Sequence, residues 1–227
     1  MRPCESSGSR HPIRRFPSTC ASSTISLRSF APGSSPAQEQ ALTANVTLKN
    51  QFLLAMPNQV GTYFADTATY ICEHNEDGAL GIVVNRPSEL SLVELLAQMG
   101  LETTRVAPDV KILEGGPVAS ERGFVLHSND GNFATSLALD DGLMLSTAQE
   151  MLEAIARGEG PRDFLVALGY AGWGSGQLEG EIKDNAWLNC PGSKEVLFNT
   201  PFGERVDKAA AGLGIDFRLM SGRAGHS

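Results

Sequence analysis

The chain has 227 residues and a formal charge of −8, with 41 % hydrophobic and 19 % charged side chains. That is the composition of a globular domain, and a chain this long buries about two-thirds of its unfolded surface, so it folds without disulfide or metal. The longest apolar runs, such as Phe52–Met56, fall far short of the about 20 residues of a membrane-spanning helix, and no membrane partner is expected.

Residues 1–41 are rich in Ser, Pro and Arg and lack apolar periodicity, so they read as a disordered basic arm. Their composition fits a segment ahead of the true start, a transit peptide or a functional arm. The first 40 residues carry +3 and the rest −11, so residues 42–227 form an acidic α+β domain. Phosphate neutralisation needs clustered Lys and Arg, so direct nucleic-acid binding is disfavoured.

Phe52–Met56 reads as a buried strand stopped by Pro57. Thr67–His74 alternates, Asn75–Gly78 is a turn and Ala79–Val84 is apolar, which predicts a β-hairpin ended by Pro87. Ser91–Glu94 is a capping box for a helix that presents Leu92, Leu95, Leu96 and Met99 and stops at Gly100. Val110–Leu113 is a strand leading into Gly115-Gly116-Pro117, and Gly123–His127 is another. Phe133–Leu139 and Leu143–Leu145 flank the hairpin signal Asp140-Asp141-Gly142.

Thr147–Glu150 is a second capping box, for a helix that buries Met151, Leu152 and Ile155. Phe164–Leu168 is a core strand entering a glycine-rich loop, Gly169–Gly176. Gln177–Ala186 reads as a helix, Trp187-Leu188 and Val196–Phe198 as short strands, and Val206–Leu213 as the last helix. Strands in pairs with single helices between them predict an α+β fold with a mixed sheet.

Cys4 and Cys20 lie in the arm, and Cys72 and Cys190 are widely spaced, so neither a disulfide framework nor a zinc knuckle is expected, although a single Cys72–Cys190 disulfide stays open. Strand alternation places Tyr70, Cys72 and His74 on one face. A neighbouring imidazolium lowers a thiol pKa, so Cys72 and His74 are the candidate catalytic or redox pair. His74 and His127 each end a strand, yet their spacing requires no metal, and no cofactor is expected. The Gly115-Gly116 turn and the Gly172–Gly176 loop expose backbone amides that suit an anion. Tyr170 and Trp173 would stack on a ligand beside Gly174 and the polar helix face of Gln177 and Glu179. The fingerprint spacing of nucleotide loops is absent. Asn85 and Arg86 follow a strand, where Arg86 suits a carboxylate or phosphate ligand or, as the preferred reading, an acidic neighbour with which it would hold the loop.

The motifs Tyr70–Gly78, Gly81–Pro87, Gly115–Val118, Arg122–His127, Gly169–Glu179, Asn185–Leu188 and Ala224–His226, in this order, resemble the AlgH/YqgE family of bacterial proteins. The resemblance implies a compact α+β fold whose branched sheet curls into a partial barrel, a cytosolic location, and a link to regulation of alginate genes. The expected function is a regulatory, non-enzymatic protein that binds a small ligand or protein partner through Asn85, Arg86, Gly115, Gly116, His127, Tyr170, Trp173, Gly174, Gln177 and Glu179. The alternatives are a thiol-dependent enzyme and a transcriptional regulator acting on DNA.

Overall fold

The computed structural model describes residues 47–220 except 132, 134, 135 and 148. The basic arm and Ala224–His226 lie outside the described residues, and the Thr147–Glu150 box lies partly outside them. The strands are β1 (Gln51–Ala55), β2 (Ala68–Asn75), β3 (Gly78–Val83), β4 (Pro87–Ser91), β5 (Lys111–Glu114), β6 (Val118–Ser128), β7 (Ser136–Ala138), β8 (Leu143–Ser146), β9 (Phe164–Gly174) and β10 (Trp187–Pro191). The helices are α1 (Leu92–Gln98), α2 (Gln149–Arg157), α3 (Gln177–Lys183), α4 (Arg205–Ala211) and α5 (Phe217–Met220).

These strands form one sheet with the order β10-β1-β2-β3-β9-β6-β8-β7. It branches at β9, whose first half pairs with β6 antiparallel and with β5 in parallel, and whose second half pairs with β3. β4 extends the branch through β5. The fold is mixed α+β, and its mostly antiparallel sheet curls into a half-barrel with helices around it.

Both sheet faces are covered, which is why β1 is apolar at every buried position. Phe52 and Leu54 join Tyr70, Ile82, Phe124 and Leu126 on one face, closed by Ala209 and Ala210 of α4. Leu53 and Ala55 face the other way, toward Ile71, Trp173, Trp187 and Leu178 of α3. Further along that sheet, α1 and α2 set Leu92, Leu96, Met151 and Ile155 against Ile112, Val125 and Val166. Each large side chain so buried contributes about 1.5–3 kcal/mol. The first capping box forms: the Ser91 hydroxyl accepts from the Glu94 amide at 3.2 Å, and the Glu94 carboxylate accepts from the Ser91 amide at 2.8 Å.

Five local readings change. Val196–Phe198 is part of a π-helical turn, Glu195–Asn199, whose Val196 and Leu197 are buried in the cluster that also holds Ala209 and Ala210 of α4. Pro87 opens β4 rather than ending the hairpin region, since β4 pairs only with β5 and a first residue needs no amide. The Gly169–Gly176 segment is strand as far as Gly174, paired with β3 at Ala79 and Trp173. α3 ends at Lys183, and α4 starts at Arg205.

Candidate functional site

β2 and β3 pair through a register shift, with Ile71 opposite Gly81 and Glu73 opposite Leu80, so Cys72 is the extra residue of a β-bulge. A bulge resets the alternation of side chains. Cys72 stays with Tyr70 in the core of the half-barrel. His74 pairs with Ala79, which packs with Trp173 on the opposite face. The expected shared face of Cys72 and His74 therefore does not form.

Cys72 is fully buried, and burial, helped by Glu73, pushes its thiol up to about 12. Cys190 is buried too, and desolvation raises its thiol to about 11. Both are free thiols. β1 separates their strands, a gap of about 9–10 Å that exceeds disulfide reach.

The Leu48 amide donates to His74 Nδ1 at 2.9 Å, and His74 Nε2 lies 2.9 Å from Glu179 Oε1. With Nδ1 accepting, the hydrogen-bond network assigns the ring hydrogen to Nε2, which donates to Glu179. The imidazole is thus held neutral while Glu179 is charged. A hydrogen bond from its own backbone amide, then the His74 contact, hold the Glu179 carboxyl below the usual carboxylate range.

This pair borders a cavity of about 400 Å³, walled also by Thr47, Asn75, Glu76, Ser175 and Gly176. The His74 side chain is only 8 % exposed, whereas Glu179 is 45 % exposed. Across the β2–β3 hairpin a second cavity, about 410 Å³, is bounded by Glu73, Asp77, Tyr170, Gly172 and Trp173.

α3 is pinned from beneath. Glu181 Oε2 accepts from the indoles of Trp173 at 2.9 Å and Trp187 at 2.8 Å. Gln177 donates to Glu181 Oε1 at 2.9 Å and accepts from the Gly174 amide at 3.1 Å. Trp173 is buried and stacks on Phe64 at 6.1 Å, so its ring anchors the helix that carries Glu179. The i,i+4 spacing of Gln177 and Glu181 already places them on one helix face, as observed. The role of Glu181 as shared acceptor for two indoles is not readable there, and its signal was that two tryptophans near a helix need an acceptor.

The remaining residues lie elsewhere. Asn85 accepts from the Ala68 amide and donates to the Asp66 carbonyl, both at 2.8 Å. Arg86 donates to the carbonyls of Tyr63 and Ala65 and lies over the Tyr63 ring. It holds a loop through carbonyls rather than a carboxylate. Gly115 donates to the Leu168 carbonyl at 2.7 Å and accepts from the Val83 amide at 2.8 Å. A Cβ on Gly116 would overlap the Tyr170 backbone, so this turn is a tight strand crossing. His127 is fully buried, with Nδ1 at 2.9 Å from the Ser128 carbonyl and Nε2 at 2.9 Å from Ser146 Oγ.

Among the described residues, no group of three or more His, Cys, Asp or Glu is placed to hold a metal ion. No described helix is long and apolar enough to cross a membrane.

A family model described as AlgH-like matches residues 52–218. The chain is 50 % identical over 186 residues to a UPF0301 protein of Thioalkalivibrio sulfidiphilus, covering 82 % of this chain and 100 % of that one. It is 53 % identical over 182 residues to a UPF0301 protein of Pseudomonas putida, covering 79 % and 96 %. Its structure is similar to the solution structure of the AlgH protein from Pseudomonas aeruginosa, with TM-score 0.65 and 45 % identity over 87 % of this chain and all of that one. Protein DIP2367 from Corynebacterium diphtheriae shares the fold at TM-score 0.63 and 18 % identity, over 76 % and 91 %.

Proposed function

The chain belongs to the AlgH-like family, and from that premise we propose that it is a cytosolic regulatory protein that acts by binding a small cationic ligand in the His74–Glu179 cleft. One observation carries this reading. The cleft holds a neutral imidazole beside a half-exposed carboxylate, so the pair has a net negative charge facing a cavity. Glu76, the other charged residue of the wall, adds to it. An amine suits such a site, because an ammonium donates to the carboxylate while a carboxylate ligand is repelled.

Asn85, Arg86 and Gly115 are bonded to backbone groups outside the cleft, so the reading rests on the His74–Glu179 pair. Two free buried thiols fit a reducing cytosol. The acidic domain weighs against direct contact with DNA.

Calorimetric titration of the full chain with butylamine, spermidine and acetate tests the reading. The amines bind and acetate does not, and Glu179→Gln weakens amine binding by about tenfold or more, as expected for loss of a charged hydrogen bond. Absent amine binding, or equal affinity in the Gln variant, overturns it.

A further inference from the structure

His127, Ser146 and Ser136 come from three adjacent strands, β6, β8 and β7. Ser136 pairs with Ser146 and Ser146 with Val125, so His127, two residues on, shares their face. The imidazole is fully buried and packs edge-to-face on Phe133 at 5.2 Å.

The proton positions follow from the partners. The Ser128 carbonyl can only accept, so Nδ1 carries the hydrogen and Nε2 presents its lone pair. Ser146 Oγ lies 2.9 Å from Nε2, Ser136 Oγ lies 3.3 Å from it, and the two hydroxyls are 2.5 Å apart. The nearer Ser146 donates to Nε2, and Ser136 donates to Ser146. An unbroken chain thus runs from a half-buried hydroxyl on an edge strand, through a buried hydroxyl, to a buried base whose tautomer is fixed by a third group. Nucleophile, base and orienting acceptor stand in the order that nucleophilic catalysis requires.

We propose that Ser136 is a nucleophilic serine, with His127 as base and Ser146 as relay, and that it accepts an acyl group from an activated ester. Ser136 Oγ attacks the ester carbonyl. Its proton moves to Ser146 as the Ser146 proton moves to Nε2. The tetrahedral adduct then breaks its C–O bond, and the leaving alkoxide takes the proton back along the same chain. The products are acyl-Ser136 and the alcohol. Burial lowers the His127 pKa, which supplies the basic form at neutral pH. This site shares no residue with the His74 cleft, and the two readings stand or fall separately.

The test uses the full chain and p-nitrophenyl acetate, read by nitrophenol release and by peptide mapping. One acetyl group per chain maps to Ser136, and Ser136→Ala abolishes it. In folded Ser146→Ala, acylation slows by about a hundredfold, the usual reach of general-base assistance. A His127→Gln variant does the same if it folds; Ser146→Ala decides the matter if it does not. Acetylation of Ser136 no faster in the native chain than in urea, or at the wild-type rate in folded Ser146→Ala, overturns the proposal.

Discussion

His74 and His127 both lie near the end of an antiparallel strand, and each ring is bonded through both nitrogens. His74 accepts from the backbone and donates outward to a carboxylate beside a cavity. His127 donates to the backbone and accepts inward from hydroxyls in the core. The two rings thus hold opposite tautomers. A partner with full charge is tolerable where water reaches it, as at Glu179, whereas the partners of the buried His127 ring are two hydroxyls and a carbonyl, all neutral. Strand-end position alone says nothing about which of these a histidine becomes.

β9 spans both regions, with Phe164 at the His127 end and Trp173 at the His74 end. Gly116→Ala forces a methyl group into the β9 backbone at Tyr170. It is expected to damage both ends together, by about 3 kcal/mol, seen as loss of soluble folded protein or a large drop in urea midpoint.

Glu181→Ala separates them. It strips the shared acceptor from two buried indoles at the His74 end only. The cost is about 2 kcal/mol in urea unfolding. The His74 imidazole resonances move while those of His127 stay in place; movement of both refutes the separation.

The next effect belongs to the His127 end. Burial disfavours its cation, so the folded ring titrates below its unfolded value of about 6.5. Below that pH the unfolded chain gains a proton that the native chain lacks. The stability is therefore fully present above about pH 6.5 and is lost as pH falls through it toward the depressed folded value, at up to about 1.4 kcal/mol per pH unit. Urea midpoints at pH 5.5 and 7.5 measure this, and His127→Asn flattens the difference. An unchanged slope shows that His127 is not its source.

The smallest expected change in stability is at the binding end. Glu179 is nearly half exposed, so Glu179→Gln shifts the unfolding free energy by less than about 0.5 kcal/mol. A larger loss means that the His74 pair holds the fold together and is not a binding feature.

Much of the fold was readable along the chain. Phe52–Ala55 announces a strand buried on both sides, and Ser91–Glu94 announces a helix start, because burial and capping act over a few neighbouring residues. Gly115-Gly116 was visible as a motif, but its reason, the closeness of β9, was not. His74, Gln177, Trp173 and Glu179 were each legible as polar or aromatic landmarks. Their grouping was not, because His74 and Glu179 stand 105 residues apart.

The family, the α+β class and the order of most strands rest on local period, propensity and motif, and so could be read along the chain. Which side chains meet was settled by how the strands pair. The bulge at Cys72 depends on how β3 pairs with β2, and it turns His74 away from Cys72 and toward Glu179. Likewise β8 and β7 bring Ser146 and Ser136 to His127 through register between strands. Alternation is a property of one strand, whereas register belongs to a pair, and the chemistry of both histidines follows from register.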